Sequence, residues 1–209
     1  MSVAERLSEQ AQSINSVVVR FAGDSGDGMQ LTGTNFTNTT AIYGNDLATF
    51  PDYPAEIRAP AGAKFGVSAF QLCFGSEEVN TAGDEVDVLV AMNPAALITN
   101  LSFLSESGLI IADSNAFTDK NLKRAGYESN PLESGELDAY RLLKIDITKC
   151  TLAAVKPFGL SHTFAVRCKN MWTLGLTLWL FDRSRAQVVE GLKSKFATNP
   201  ELGSVTHLN

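Results

Sequence analysis

The chain has 209 residues, 44% of them hydrophobic, enough to bury one sizeable core. Its net charge is −6 and no lysine–arginine run exceeds two or three residues, which excludes a nucleic-acid groove and docking on an anionic membrane. Cys73, Cys150 and Cys168 include no CxxC pair and His162 and His207 are the only histidines, which excludes a disulfide framework and a His-rich metal site and fits a reducing, cytoplasmic compartment.

Residues 1–15 are polar and mixed in charge, without the apolar stretch of a signal peptide, and are expected to be a flexible N-terminal segment. Residues 17–22 (VVVRFA) are short, β-branched and stopped by glycine, the pattern of a strand buried on both faces in a parallel sheet. The turn FAGDSGDG, Phe21 to Gly28, follows directly. A glycine-rich corner between a strand and a helix usually receives a phosphate on exposed N–H groups. The spacing here is G-x-x-G-x-G, which is neither the dinucleotide fingerprint nor a P-loop. Asp24 and Asp27 would oppose a diphosphate inside the turn. One of them is expected to cap the following helix and take the anion position, so that a ligand lies against the turn, on Ser25 and backbone groups. The alternative is a tight turn with no ligand.

A helix is predicted over 29–43 with Gly44 just past its end. Seven of the nine residues from 32 to 40 are Thr or Asn, so packing must hold it. Residues 46–50 read as a short strand, 51–66 as a proline-rich irregular loop, 67–74 as a strand and 76–84 as a turn region. In that loop, FPDYPAEIRAPAG (Phe50 to Gly62) carries Glu56 and Arg58 on a stiffened backbone. A subunit interface, a ligand contact by Arg58 and a plain solvated loop all remain open, the interface first.

Residues 86–92 (VDVLVAM) form a buried strand, Asn93 an N-cap and Pro94 a first helical residue. Leu97, Leu101 and Leu104 share one helical face, Gly108 is expected to end that helix, and 109–112 is the next strand, completing a βαβ unit. Residues 118–137 have no period and read as a loop, and 141–147 as a last strand. A long helix is predicted over 163–181, with Arg167, Asn170, Thr173 and Thr177 as its one polar stripe and the rest of its circumference buried. Its uncharged stretch, 170–181, is too short to span a bilayer. A second helix over 184–196 turns Val188, Val189, Leu192 and Phe196 inward. The cysteines read as small buried residues. The expected fold class is α/β: one three-layer Rossmann-like domain with a mostly parallel sheet over 16–198, followed by a polar tail over 199–209.

Four stretches in this order, VVVRFAGDSGDGMQLTG, ATFPDYPAEIRAPAG, VDVLVAMNPAAL and KNMWTLGLTLWL, resemble the gamma domain of 2-oxoacid:acceptor oxidoreductases, the family of pyruvate and 2-oxoglutarate ferredoxin oxidoreductases. The FAGDSGDG form is similar to the variant fused to the front of an alpha subunit, as in 2-oxoglutarate synthases. The resemblance covers about residues 16–200. It implies an oxidative decarboxylation in which thiamine diphosphate attacks the 2-oxoacid, carbon dioxide leaves, iron–sulfur clusters carry electrons toward ferredoxin and coenzyme A takes the acyl group. The implied share of the gamma domain is assembly with alpha and beta subunits and the coenzyme A side of the site. Gly23, Ser25, Gly26 and Gly28 are the candidate backbone contacts to coenzyme A, with Arg58 as a cofactor and subunit contact. The usual gamma pattern resembles G-x-G-G-Q-G. Ser25 stands at its third place and Asp27 at its fifth, so only Gly23, Gly26 and Gly28 carry over.

Gly26-Asp27-Gly28 also resembles the start of a thiamine motif, but the asparagine such a motif needs is absent from residues 51–58, and thiamine binding by this chain is rejected. Three cysteines cannot supply the four thiolates of an iron–sulfur cluster. Thiamine diphosphate and the clusters are therefore expected on partner domains or subunits, with the isolated chain inactive. The alpha-type thiamine domain does not follow Asn209, so a split gene or a fragment of a fused subunit is expected. A homodimer, a free-standing flavodoxin-like flavin or nucleotide module, and a ligand-free scaffold remain the alternatives.

Overall fold

Strand β1 (Ser16–Asp24) runs through the middle of a six-stranded sheet in the computed structural model, which describes residues 15–53 and 66–196. The expectations for residues 1–14, for 54–65 with Glu56 and Arg58, for the tail from 197 and for the Phe196 side chain lie outside the described residues. The sheet order is β2 (Asp46–Asp52), β3 (Val67–Gly75), β1, β4 (Val86–Ala91), β5 (Leu104–Asp113), β6 (Arg141–Ile145). β1, β4, β5 and β6 are mutually parallel, while β3 runs antiparallel to β1 and β2 antiparallel to β3. The mostly parallel sheet expected from the apolar strand runs is therefore present, extended on one side by an antiparallel pair.

Alternation along the strands sorts the core into two layers. Val19, Phe21, Val90 and Ile111 pack with residues of α1 (Met29–Ile42), α4 (Ile147–Val155) and α6 (Lys169–Leu180). Val18, Ala22, Leu89 and Ile110 pack with residues of α2 (Pro94–Asn100) and α3 (Asp119–Ala125). Two further helices, α5 (His162–Arg167) and α7 (Ala186–Phe196), flank α6 in sequence.

Helix α1 holds despite its composition for two reasons. Four of its hydroxyls are satisfied within the helix: Thr32, Thr34, Thr37 and Thr39 each donate to the carbonyl four residues earlier, while the buried Thr40 hydroxyl has no partner among the described residues. Its Phe36 is fully buried in edge-on contact with Phe21, Phe74 and Phe181, with ring centroids 5.6–5.9 Å apart. Gly44, at φ +73°, follows the helix as expected, and Gly33 faces Phe70 so closely that a Cβ would collide with the ring.

Several sequence expectations are corrected. Asn93 does cap α2, its side chain accepting from Ala96 N–H at 2.8 Å, but the helix stops at Asn100 and not at Gly108. Leu104 must already lie in the sheet to pair with Val86, so residues 105–108 form a bulge in β5. The stretch 118–137 contains α3, capped by Thr118 and closed by Gly126 at φ +93°. Sequence reading also passed over α4. The single long helix is two, α5 and α6, broken at Cys168. The polar stripe is inverted: Asn170, Thr173 and Thr177 are among the most buried residues of α6, while Trp179 is 71% exposed. Val188, Val189 and Leu192 are only half-buried, and of the cysteines only Cys73 is buried.

Arg20 sits in β1 on the α2 side, 3% exposed among apolar neighbours. Its guanidinium donates to Asn100 Oδ1 at 2.6 Å, Gln71 Oε1 at 3.0 Å and Asp52 Oδ2 at 2.6 Å, and stacks on Phe103. A buried cation is tolerated only when its donors are met, and here three elements meet them. Arg20→Met is expected to cost about 2–4 kcal/mol, because Asn100 and Gln71 lose a buried partner. A urea midpoint unchanged from the parent would refute it.

Candidate functional site

The helices that follow β1 and β4 leave the sheet on opposite faces, α1 on one and α2 on the other. Between two adjacent parallel strands this opens a crevice at their carboxyl ends, where open α/β sheets bind ligands. One wall is the glycine turn after β1; the other is Met92 and Asn93 after β4. The strands are tied at this edge by Met92 N–H donating to Ala22 C=O at 2.9 Å and Asn93 Nδ2 donating to Asp24 Oδ1 at 2.9 Å.

The turn is closed from within. Asp27 N–H donates to Asp24 C=O, and Asp24 N–H donates to Asp27 Oδ2, both at 2.9 Å. This corrects the expectation that an aspartate caps the helix: the Asp27 carboxylate folds back over Gly23 and binds the turn. Gly28 occupies the N-cap of α1 in the left-handed region, φ +74°, with no side-chain cap. Among the described residues, no carboxylate caps the donors of the first helical turn.

The four turn residues named from sequence come together but have different reasons to be small. At Gly23 a Cβ would meet Asp27 Oδ2 at 2.9 Å. At Gly28 it would meet Asn170 Nδ2 at 2.5 Å, and the positive φ favours glycine independently. At Gly26 nothing lies within 4 Å and the backbone is not left-handed, so the fold has room for a side chain there. Ser25 and Gly26 are the exposed apex.

Sequence reading missed the charged frame. Asp113, fully buried at the end of β5, accepts from Ile147 N–H at 3.1 Å, Thr148 Oγ1 at 3.4 Å and Lys169 Nζ at 3.2 Å. Burial pushes the Asp24 carboxyl above its usual range, opposed by the Asn93 hydrogen bond and then by Arg124 and Lys169. Burial likewise raises Asp27, opposed by the Asp24 N–H bond and Lys169 and reinforced by repulsion from Asp24 and Asp113. The one available signal was an acidic residue ending an apolar strand, LIIAD; nothing local marks Lys169 or Asn170.

Residues 18–207 match the family described as pyruvate ferredoxin/flavodoxin oxidoreductase. The chain belongs to this family. It is 50% identical over 197 residues to the 2-oxoglutarate oxidoreductase subunit KorA of Mycobacterium tuberculosis, covering 94% of this chain and 30% of KorA. The chain therefore spans under a third of that relative's length. Its fold matches the 2-oxoglutarate:ferredoxin oxidoreductase of Magnetococcus marinus, solved with 2-oxoglutarate, coenzyme A and succinyl-CoA bound, at TM-score 0.68 and 24% identity, covering 93% of this chain and 29% of that one. The keto/oxoacid ferredoxin oxidoreductase gamma subunit of Geobacter sulfurreducens matches at TM-score 0.58 and 18% identity, covering 92% and 95%. The pyruvate oxidoreductase subunit PORC of Thermotoga maritima matches at TM-score 0.60 and 16% identity, covering 92% of each chain. At these identities the three structures establish the fold.

The iron–sulfur clusters that the resemblance implies do not fit the donors of this chain. Cys73 lies in β3, Cys150 in α4 and Cys168 between α5 and α6, and no metal-ligating group of His, Cys, Asp and Glu forms among the described residues. No described helix is long and apolar enough to cross a membrane.

Two predictions test the turn. Asp27→Asn keeps an acceptor for Asp24 N–H but removes a carboxylate whose ionised form the fold disfavours. The folded carboxyl titrates above its ordinary 3.8, so the penalty is present above the folded value and fades as pH falls through it toward 3.8. The variant is expected to melt higher than the parent at pH 7, with the gap closing in acid; an equal or lower melting temperature at pH 7 would count against it. Gly28→Ala is expected to cost about 2 kcal/mol or more from left-handed strain and the Asn170 contact. Gly26→Ala is expected to cost less than about 0.5 kcal/mol. Equal losses in denaturant titrations would refute the distinction.

Proposed function

We propose that the chain is the gamma-type domain of a 2-oxoacid:ferredoxin oxidoreductase acting on 2-oxoglutarate. In the overall reaction 2-oxoglutarate, coenzyme A and two oxidised ferredoxins give succinyl-CoA, carbon dioxide, a proton and two reduced ferredoxins. Support for the substrate comes from the 50% identity to KorA. Thiamine diphosphate, when bound on the partner alpha and beta chains, supplies the carbanion chemistry; this chain supplies assembly and one wall of the coenzyme A site, in a cytoplasmic complex.

The observation that carries the ligand half is the glycine corner at the switch point. It combines an uncapped helix start with an apex, Ser25 and Gly26, whose openness the fold does not require. A coenzyme A diphosphate has a place beside backbone donors of the first turn of α1, because Asp27 is engaged with Asp24 N–H and does not occupy them. Gly23 and Gly28 hold the corner in shape. Arg58 is assigned to the same ligand or to the neighbouring subunit.

The test uses the assembled oxidoreductase with Gly26→Val in this chain. The added side chain has space in the fold and projects where the ligand would approach. The KM for coenzyme A is expected to rise by about tenfold or more with the KM for 2-oxoglutarate unchanged. An unchanged KM for coenzyme A would remove the ligand role and leave assembly alone.

A further inference from the structure

The outer side of α6 carries more apolar surface than a solvent face needs. With Asn170, Thr173 and Thr177 turned inward, a groove of about 930 Å3 runs along the helix between α4, α5 and α7. Its walls include Phe164, Met171, Trp172, Leu176, Trp179 and Val188. Trp179 is 71% and Phe164 51% exposed. Contiguous apolar surface of this kind marks an interaction site. The 12 residues of α6 give it a length of about 18 Å, three turns of a docked helix.

Two polar groups lining the groove are buried without a partner among the described residues. Thr151, 1% exposed, leaves its hydroxyl unpaired, and Arg183 leaves its Nε–H unpaired although its Nη2 reaches Asn45. The charged lining is Arg167, Arg183 and Arg185 against Asp182 alone, on a chain of net charge −6. A second copy docked face to face would set arginines against arginines, so the lining selects an acidic partner. The KorA relative has 70% of its length outside the matched part, ample chain to supply one.

We propose that this groove seats a helix of the thiamine-binding part of the oxidoreductase, apolar on one face and flanked by carboxylates that meet the arginines. This rests on the family function above and adds the surface. Trp179 is the anchor.

The tagged chain is purified from its own host, and co-purifying thiamine diphosphate and partner chains are quantified by mass spectrometry. Trp172 and Trp179 are the only two tryptophans and both line the groove, so emission of the parent reports its occupancy. The emission is expected to be blue-shifted in the complex relative to the isolated chain. Trp179→Glu is expected to lower the recovered thiamine-containing partner by about tenfold or more, and Arg185→Glu by about threefold. Both isolated variants are expected to keep the circular dichroism and melting of the parent. Full recovery with Trp179→Glu overturns the groove and leaves the family function standing. A parent chain that recovers no thiamine-binding partner overturns both. An isolated parent that is dimeric, and monomeric as Trp179→Glu, assigns the groove to a second copy. Blue emission of the isolated parent that turns red on removal of residues 1–14 or 197–209 assigns it to the chain's own ends. Either result overturns the proposal.

Discussion

Burial of the Asn170–Thr173–Thr177 stripe is the constraint on which the rest of the molecule depends. Polar side chains enter a core only when their hydrogen bonds are met. Here the hydroxyls of Thr173 and Thr177 return to carbonyls of their own helix, and Thr32 of α1 donates to Asn170 C=O at 3.3 Å. Small, self-satisfied side chains on both helices let α1 and α6 approach closely. The Asn170 side chain then presses on Gly28, which fixes the corner between β1 and α1 and makes a Cβ there untenable. The same rotation of α6 leaves Trp179 and its apolar neighbours facing outward. The glycine corner and the external groove are thus two consequences of one helix orientation.

The second organising feature is electrostatic. Three carboxylates, Asp24, Asp27 and Asp113, converge near the carboxyl edge of the parallel strands, where a phosphate-binding fold would ordinarily keep negative charge away. Each has a defined structural duty: Asp24 ties the turn to Asn93, Asp27 closes the turn, and Asp113 anchors the start of α4 and Lys169. Lys169 moderates the charge of all three, and Arg124 adds to its effect at Asp24. The carboxylates shape the cradle while leaving the helix start uncapped. That arrangement suits recognition and assembly. No group of His, Cys, Asp and Glu that could hold a metal ion forms among the described residues.

Local chemistry in the sequence was sufficient for β1, β4, the Asn93–Pro94 helix start, Gly44 after α1 and the glycine corner itself. Each depends on neighbours along the chain: β-branching, a capping side chain, a residue free to take positive φ. The Thr/Asn-rich α1 was legible only as a helix that packing must rescue, and the Phe36 contacts and back-bonded hydroxyls are that rescue. The α2 end was misplaced because the Leu97–Leu101–Leu104 spacing satisfies a helix and a helix-to-strand exit equally; pairing of Leu104 with Val86 decided between them.

What the sequence determined by itself was the alternation of elements, the class of sheet and the place of the glycine corner, since these follow from period, propensity and turn chemistry over a few residues. What only the tertiary structure decided was the direction each face points and which distant charges meet. Periodicity marks a stripe on α6 as different from its surroundings but carries no sign, and the sign came from α1 offering hydroxyls and a glycine instead of leucines. The meeting of Asp27, Asp113 and Lys169 likewise depends on two strand ends and a helix start converging across more than a hundred residues, a proximity that no local pattern encodes.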